Sequence, residues 1–234
     1  MRIFGHRGAP GFPQHGENTV YSFREALARG AEGFEFDVRR CGDGTIVVVH
    51  DHTVDRTTSG AGPVAGFTYE QLLAFDAGYG EAIPRLADVF AKFGSGGILN
   101  VELKERGLAE DVKNLIMEAQ CFRNVIVSAF DIDDNDANSN SSWAELQVLA
   151  PEIPTALLAT AAKISRLGIG SFIDHAIRLG ASAIHPQRTA PIEEIVPMAR
   201  SAGLAVHVWT VNDPEEILRF RAMGVDAIFT DYPA

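Results

Sequence analysis

Cysteine is scarce in this chain. Among its 234 residues only Cys41 and Cys121 occur, without CxxC spacing, so no disulfide framework organises the fold and a reduced compartment fits it. Long apolar runs are missing too, which argues against a membrane span. The opening MRIFGHRG has no charged segment followed by an apolar one, so the reading is a cytoplasmic protein; a mature form stripped of its signal would read the same. Basic runs are also absent. With 20 Lys and Arg against 31 Asp and Glu, a net charge of −11, nucleic acid is a poor partner. No GxGxxG follows the first β-prone run, which leaves a dinucleotide-binding sheet with little support.

What is present is an ordinary globular composition, 46% hydrophobic and 22% charged, enough to bury one large core. Eight segments read as strands: 3–8, 34–38, 98–104, 125–130, 155–160, 182–186, 206–211 and 227–231. Helical patterns fall between most of them, at 17–29, 86–93, 108–119, 143–149, 172–179, 192–202 and 213–223. The last is the best marked, with Asn212 or Asp213 as cap, Pro214 in the first turn and Gly224 as stop. Alternation of strand and helix favours a parallel sheet, and eight strands favour closure into an α/β (β/α)8 TIM barrel with no eighth helix. No repeat or linker divides residues 1–234, so a single domain is expected.

Two segments break the rhythm. Residues 51–85 are too long for a strand-to-helix loop and carry a short helical stretch near 69–75, so they read as a small insertion over the barrel mouth, a candidate lid. Residues 131–143, DIDDNDANSNSSW, are dense in Asp, Asn and Ser. A calcium loop of the EF-hand type would need Gly and Glu where Asp136 and Ser142 stand, so a polar loop is the better reading.

The chemistry is concentrated in GFEFDVRRCGDGTIVVVHD, residues 33–51. Side chains alternate across a strand, so Glu35 and Asp37 share one face while Phe34, Phe36 and Val38 share the other. A hairpin turn centred between Asp43 and Gly44 would pair Asp37 with His50. Two inward acids repel and lose solvation unless a cation neutralises them. Active sites of α/β barrels lie at the C-terminal strand ends, where His6, Arg7, Glu35, Asp37, Glu102, Lys104 and Trp209 all fall. Glu35, Asp37 and Glu102 form a hard oxygen set suited to Mg²⁺ or Ca²⁺. Arg7 would offer a fork to two phosphate oxygens and Lys104 a point charge; alternatively both simply pair with the acids. His6 and His50 would then take one proton and give another. His15, His52, His175, His185 and His207 read as structural or surface histidines.

With these residues in place the chain resembles the glycerophosphodiester phosphodiesterase family, a TIM-barrel group related to bacterial phosphatidylinositol-specific phospholipase C. The matching stretches are GHRGAPG, GENTVYSFREALARGAEGFEFDV, DGTIVVVHDHTVDRTTSGAG, LNVELK, VSAFD, VWTVNDPE and GVDAIFTDYP, from residue 5 to residue 233. The family usually has Pro before ENT, where this chain has Gly16. The resemblance implies hydrolysis of a glycerophosphodiester to sn-glycerol 3-phosphate and an alcohol with one divalent cation. It implies His6 as base and His50 as acid, Glu35, Asp37 and Glu102 as metal ligands, Arg7 and Lys104 as phosphate binders, and Trp209 as an apolar wall. The implied partner is a small glycerophosphodiester, acted on by a monomer or homodimer. Competing readings keep the chemistry on a lysophospholipid, or bind a phosphodiester without turnover.

Overall fold

The computed structural model describes residues 1–130, 145 and 150–233. The polar segment 131–143 and the helix expected at 143–149 lie outside the described residues, apart from Glu145. All eight expected strands form: β1 (Arg2–Gly5), β2 (Gly33–Arg40), β4 (Ile98–Leu103), β5 (Val125–Phe130), β6 (Thr155–Ala159), β7 (Ala183–Pro186), β8 (Ala205–Val208) and β9 (Ala227–Thr230). Neighbours pair in parallel in the order β1-β9-β8-β7-β6-β5-β4-β2, and β1 pairs with β2 to close the barrel.

Each barrel strand separates two environments by simple alternation. Phe34, Phe36 and Val38 of β2 face outward and are fully buried beneath α1 (Val20–Ala28) and α3 (Leu86–Phe93). Phe23 of α1 stacks on Phe34 with ring centroids 4.3 Å apart, and Phe93 of α3 meets Phe34 edge-on at 5.2 Å. Leu99, Val101 and Leu103 of β4 join this cluster, with α4 (Ala109–Glu118) beyond them. A second outer cluster covers β6 to β9 with α5 (Ala161–Leu167), α6 (Ile169–Arg178), α7 (Ile192–Ser201) and α8 (Pro214–Met223). Inside the barrel Phe4 and Phe229 pack 5.6 Å apart, close to His185 and His207, so the interior is filled rather than hollow.

Several expectations are refined. The first helix begins at Val20, not at residue 17, because Thr19 caps it by accepting from the Ser22 N–H. Asp213, rather than Asn212, caps α8, accepting from the Glu215 N–H at 2.8 Å, and Gly224 ends it in the left-handed conformation. Helix α5 was not anticipated; Thr160 caps it and Gly168, at φ 81°, separates it from α6. Among the described residues no helix follows β9.

The hairpin register also differs from the expected one. β3 (Ile46–Val48) runs antiparallel to β2, outside the barrel, with Val38 opposite Val48 and Arg40 opposite Ile46. The Val49 N–H donates to the Asp37 carbonyl at 2.9 Å, so Asp37 meets Val49 and not His50. The loop has three residues, not two: Cys41 and Thr45 close it, and Gly44 adopts φ 91°. After β3 the chain enters the insertion, which contains the short helix α2 (Tyr69–Leu72) and a small core of its own around Val47, Val54, Val64, Leu72 and Ile83. It returns along β3, where the Val48 N–H donates to the Pro84 carbonyl at 2.9 Å.

Candidate active site

The inward residues at the C-terminal strand ends converge on one cleft of about 210 Å³. His6, Arg7, Glu35, His50, Glu102 and Lys104 line its polar side. Phe130, Leu158, Trp209 and Phe229 supply its apolar lining, and Asn100 and His185 also border it. Every expected site residue except Asp37 thus borders the cleft, and Asp37 lies against it through the acidic cluster.

Glu35, Asp37 and Glu102 are all buried, and each offers an oxygen within 4.8 Å of the others. The strand register explains this: β2 and β4 run side by side with Glu35 opposite Asn100 and Asp37 opposite Glu102. Burial, together with the charges of Asp37 and Glu102, pushes Glu35 well above the usual carboxylate range. Burial also acts against ionised Asp37, but Lys104, Arg7, His50 and the Asn18 amide outweigh it and bring Asp37 down to about 2. One oxygen of Glu35, Oε1, and one of Asp37, Oδ1, are buried without a hydrogen bond. Two buried hard oxygens that accept no hydrogen bond, beside a third carboxylate, fit a divalent cation of the Mg²⁺ or Ca²⁺ kind.

The two cations stand against these acids. Lys104 Nζ is 2.6 Å from Glu102 Oε1 and 3.5 Å from Asp37 Oδ1, so ion pairing with the acids, one of the sequence alternatives, is part of the arrangement. Arg7 follows directly on β1 in the left-handed region, φ 53°, a conformation that costs energy for a non-glycine residue. That turn lets its backbone N–H donate to Glu35 Oε2 at 2.9 Å while Nη1 donates to Glu17 at 3.0 Å. Arg7 Nε lies 3.4 Å from Asp37 Oδ2 and makes no hydrogen bond. Gly8, at φ 92°, continues the turn beneath α1; a Cβ there would meet Ser22 Oγ at 2.4 Å.

Each histidine has its own carboxylate. His6 Nδ1 lies 2.7 Å from Asp231 Oδ1, and His50 Nδ1 lies 2.6 Å from Asp51 Oδ1. A carboxylate on Nδ1 fixes the ring and leaves Nε2 for proton exchange. His6 reaches the site by extending β1 one residue, its N–H donating to the Thr230 carbonyl at 2.8 Å. His50 is held by its backbone, whose carbonyl accepts from Arg39 Nε at 2.9 Å. Trp209 lies one residue beyond β8; its Nε1 donates to the His185 carbonyl at 2.7 Å, and Phe130 meets the indole edge-on at 5.7 Å.

Sequence reasoning missed several participants. Asn18, read as part of a helix, takes φ 59° and donates Nδ2 to Asp37 at 2.9 Å. Asp231 and Asp51 carried a usable signal, each being the acid of a quoted stretch at a strand or hairpin end. His185 and His207, taken as structural or surface, form a buried pair under the cleft, with His185 Nε2 3.0 Å from His207 Nδ1. Their burial sets the surface alternative aside, and His185 also borders the cleft.

Comparison with known proteins places this geometry. Residues 6–234 match the model of the glycerophosphoryl diester phosphodiesterase family. A glycerophosphodiester phosphodiesterase of Caldanaerobacter subterraneus is 34% identical, the match covering 99% of this chain and 94% of that protein. One from Bacillus altitudinis is 32% identical over 99% and 95% respectively. The crystal structure of an Agrobacterium tumefaciens glycerophosphodiester phosphodiesterase superposes with a TM-score of 0.81 at 29% identity, covering 100% of this chain and 97% of that one. An Oleispira antarctica phosphodiesterase, solved in complex with the product sn-glycerol-3-phosphate, gives 0.81 at 27% identity, covering 100% and 94%. On the family match across nearly its whole length and on relatives above 30% identity, the chain belongs to the glycerophosphoryl diester phosphodiesterase family.

Proposed function

We propose that this enzyme hydrolyses a glycerophosphodiester to sn-glycerol 3-phosphate and an alcohol, with one divalent cation, Mg²⁺ or Ca²⁺, and acid–base catalysis by His6 and His50. One observation carries the reading: two histidines, each held through Nδ1 by its own carboxylate, border the same cleft as a buried acidic triad in which two oxygens accept no hydrogen bond. Support for the substrate class comes from the family and from the product bound to the Oleispira antarctica relative.

In this reading Glu35, Asp37 and Glu102 hold the cation, which when bound supplies Lewis-acid polarisation of a phosphoryl oxygen. Arg7 and Lys104 offset the remaining negative charge as it grows on the phosphoryl oxygens. His6 Nε2 takes a proton from water as the water oxygen bonds to phosphorus. His50 Nε2 gives a proton to the alcohol oxygen as its bond to phosphorus breaks. Asp231 and Asp51 keep both rings in orientation. Trp209 and Phe130 form an apolar wall for the glycerol carbons, and the chain acts as one domain whose insertion, residues 51–85, brings His50 to the barrel mouth.

The test is product identity. With divalent cation present, glycerophosphocholine and glycerophosphoethanolamine should release glycerol 3-phosphate, and His6→Ala and His50→Ala should each abolish it. Turnover of a lysophospholipid with no turnover of either glycerophosphodiester would replace the substrate with that of the competing reading; no turnover of any of them would leave a binding barrel.

A further inference from the structure

The stretch DRTTSG contributes Arg56, an arginine that the acid–base scheme leaves unused. Arg56 grips two carboxylates at once. Its Nε and Nη2 donate to Asp51, at 2.7 Å to Oδ2 and 3.1 Å to Oδ1. Its Nη1 and Nη2 donate to Glu17, at 2.8 Å to Oε2 and 2.7 Å to Oε1. Asp51 Oδ1 is the atom that meets His50 Nδ1, and Glu17 Oε1 also accepts from Arg7 Nη1. A continuous chain of hydrogen bonds therefore runs from Arg7, beside the acidic triad, through Glu17, Arg56 and Asp51 to His50.

The two carboxylates come from different parts of the fold. Glu17 lies in the loop between β1 and α1, while Asp51 and Arg56 lie in the insertion after β3. A single contact to Asp51 would leave its carboxyl plane free to rotate about the side-chain bond; a planar guanidinium using two edges does not. The side chains of Glu17 and Asp51 are 16% and 25% exposed and that of Arg56 is 48% exposed, so the carboxylates are partly shielded while the guanidinium stays open to solvent and salt. An isolated surface ion pair would be worth little, but a fork with both edges engaged fixes geometry.

From this arrangement we propose that Arg56, acting with Glu17, is a positioning residue for proton delivery to the leaving alcohol. It locks Asp51, which holds His50 in one orientation toward the breaking phosphorus–oxygen bond. The proposal rests on the acid role given to His50 above. Arg56 touches neither substrate nor cation in this scheme; it acts through Asp51.

Leaving-group dependence tests it, since p-nitrophenolate departs without a proton whereas choline does not. Wild type, Arg56→Gln, Arg56→Lys, Glu17→Gln and His50→Ala are assayed in excess divalent cation on glycerophosphocholine and on the p-nitrophenyl diester of glycerol phosphate. Arg56→Gln should lower kcat on glycerophosphocholine about tenfold or more, within the range general acid catalysis supplies, with KM changed less than about twofold. On the nitrophenyl ester it should lose less than about threefold, the same selectivity as His50→Ala. Arg56→Lys keeps the charge but not the fork and should recover only part of the loss, and Glu17→Gln should fall on the same side. Equal losses on both substrates from Arg56→Gln would mean general loosening of the insertion and overturn the proposal, as would unchanged kcat on glycerophosphocholine. If His50→Ala itself loses equally on both, the acid role of His50 fails first, and the proposal with it.

Discussion

Glu35 accepts a hydrogen bond on one oxygen from the Arg7 backbone and has no partner for the other. Burial, and after it the charges of Asp37 and Glu102, make its ionisation costly, and in the cation-free protein that cost is borne by the fold. Glu35→Gln keeps an acceptor for Arg7 and removes the crowded charge. The melting temperature of Glu35→Gln in EDTA should therefore exceed that of wild type, while the rise that wild type gains from added Mg²⁺ or Ca²⁺ should shrink in the variant, as thermal melts would read. A variant less stable than wild type in EDTA would contradict the crowding argument. At this scale the acids were legible because spacing of two on a strand puts both on one face. Asn18 was not, because its role depends on a left-handed φ of 59° that no local pattern announces. The carboxylates behind His6 and His50 were passed over for a different reason: sequence separation of 225 residues hides Asp231 from His6, although both sit at strand ends that the barrel makes adjacent.

At the level of elements, the β2–β3 hairpin decides where His50 goes. Its three-residue loop shifts the register by one from a two-residue count, and Gly44 supports the loop at φ 91°. A Cβ on Gly44 would meet nothing within 4 Å, so the penalty of Gly44→Ala is conformational alone, about 1 kcal/mol. Denaturant unfolding should show that loss with kcat unchanged; a fall in kcat at unchanged stability would mean that the loop has moved His50. The existence of the hairpin was legible in Gly42-Asp43-Gly44, but its register was not, since loop length alone separates the two counts. Strand positions proved easier because alternation is a local pattern: Phe34, Phe36 and Val38 of β2 and Leu99, Val101 and Leu103 of β4 make apolar outer faces that pack in one cluster with the flanking helices. α5 escaped notice because its seven residues offer little periodicity, and its boundary with α6 depends on the left-handed conformation of Gly168.

The whole molecule is a closed barrel whose interior holds polar groups below the cleft. His185 and His207 touch across β7 and β8, packed against Phe4 and Phe229. Burial lowers His207 from 6.5 to about 4, with Asp226 raising and Arg2 lowering it, and burial and His207 hold His185 well down. In the unfolded chain these imidazoles take protons near pH 6.5, whereas the native protein resists until about pH 4. The native state is therefore fully favoured above pH 6.5 and loses stability as the pH falls from 6.5 toward 4, His207 alone accounting for about 3 kcal/mol. Melts across that window should show the decline, and His207→Gln should flatten it; a slope unchanged in the variant would assign the acid sensitivity elsewhere. Barrel closure was legible from eight strands alternating with helices, whereas a polar pair inside the barrel was not, because a histidine on an apolar strand does not declare its partner.

The central claim is that a cation held by Glu35, Asp37 and Glu102 is required for hydrolysis. Its most direct test is the rate of glycerol 3-phosphate release from glycerophosphocholine by EDTA-stripped protein, measured before and after Mg²⁺ or Ca²⁺ is returned. The stripped protein should be inactive and regain its rate with one of the two ions, while Asp37→Asn should not. Undiminished hydrolysis by the stripped protein would contradict the claim and leave the buried acids as structural groups paired with Arg7 and Lys104.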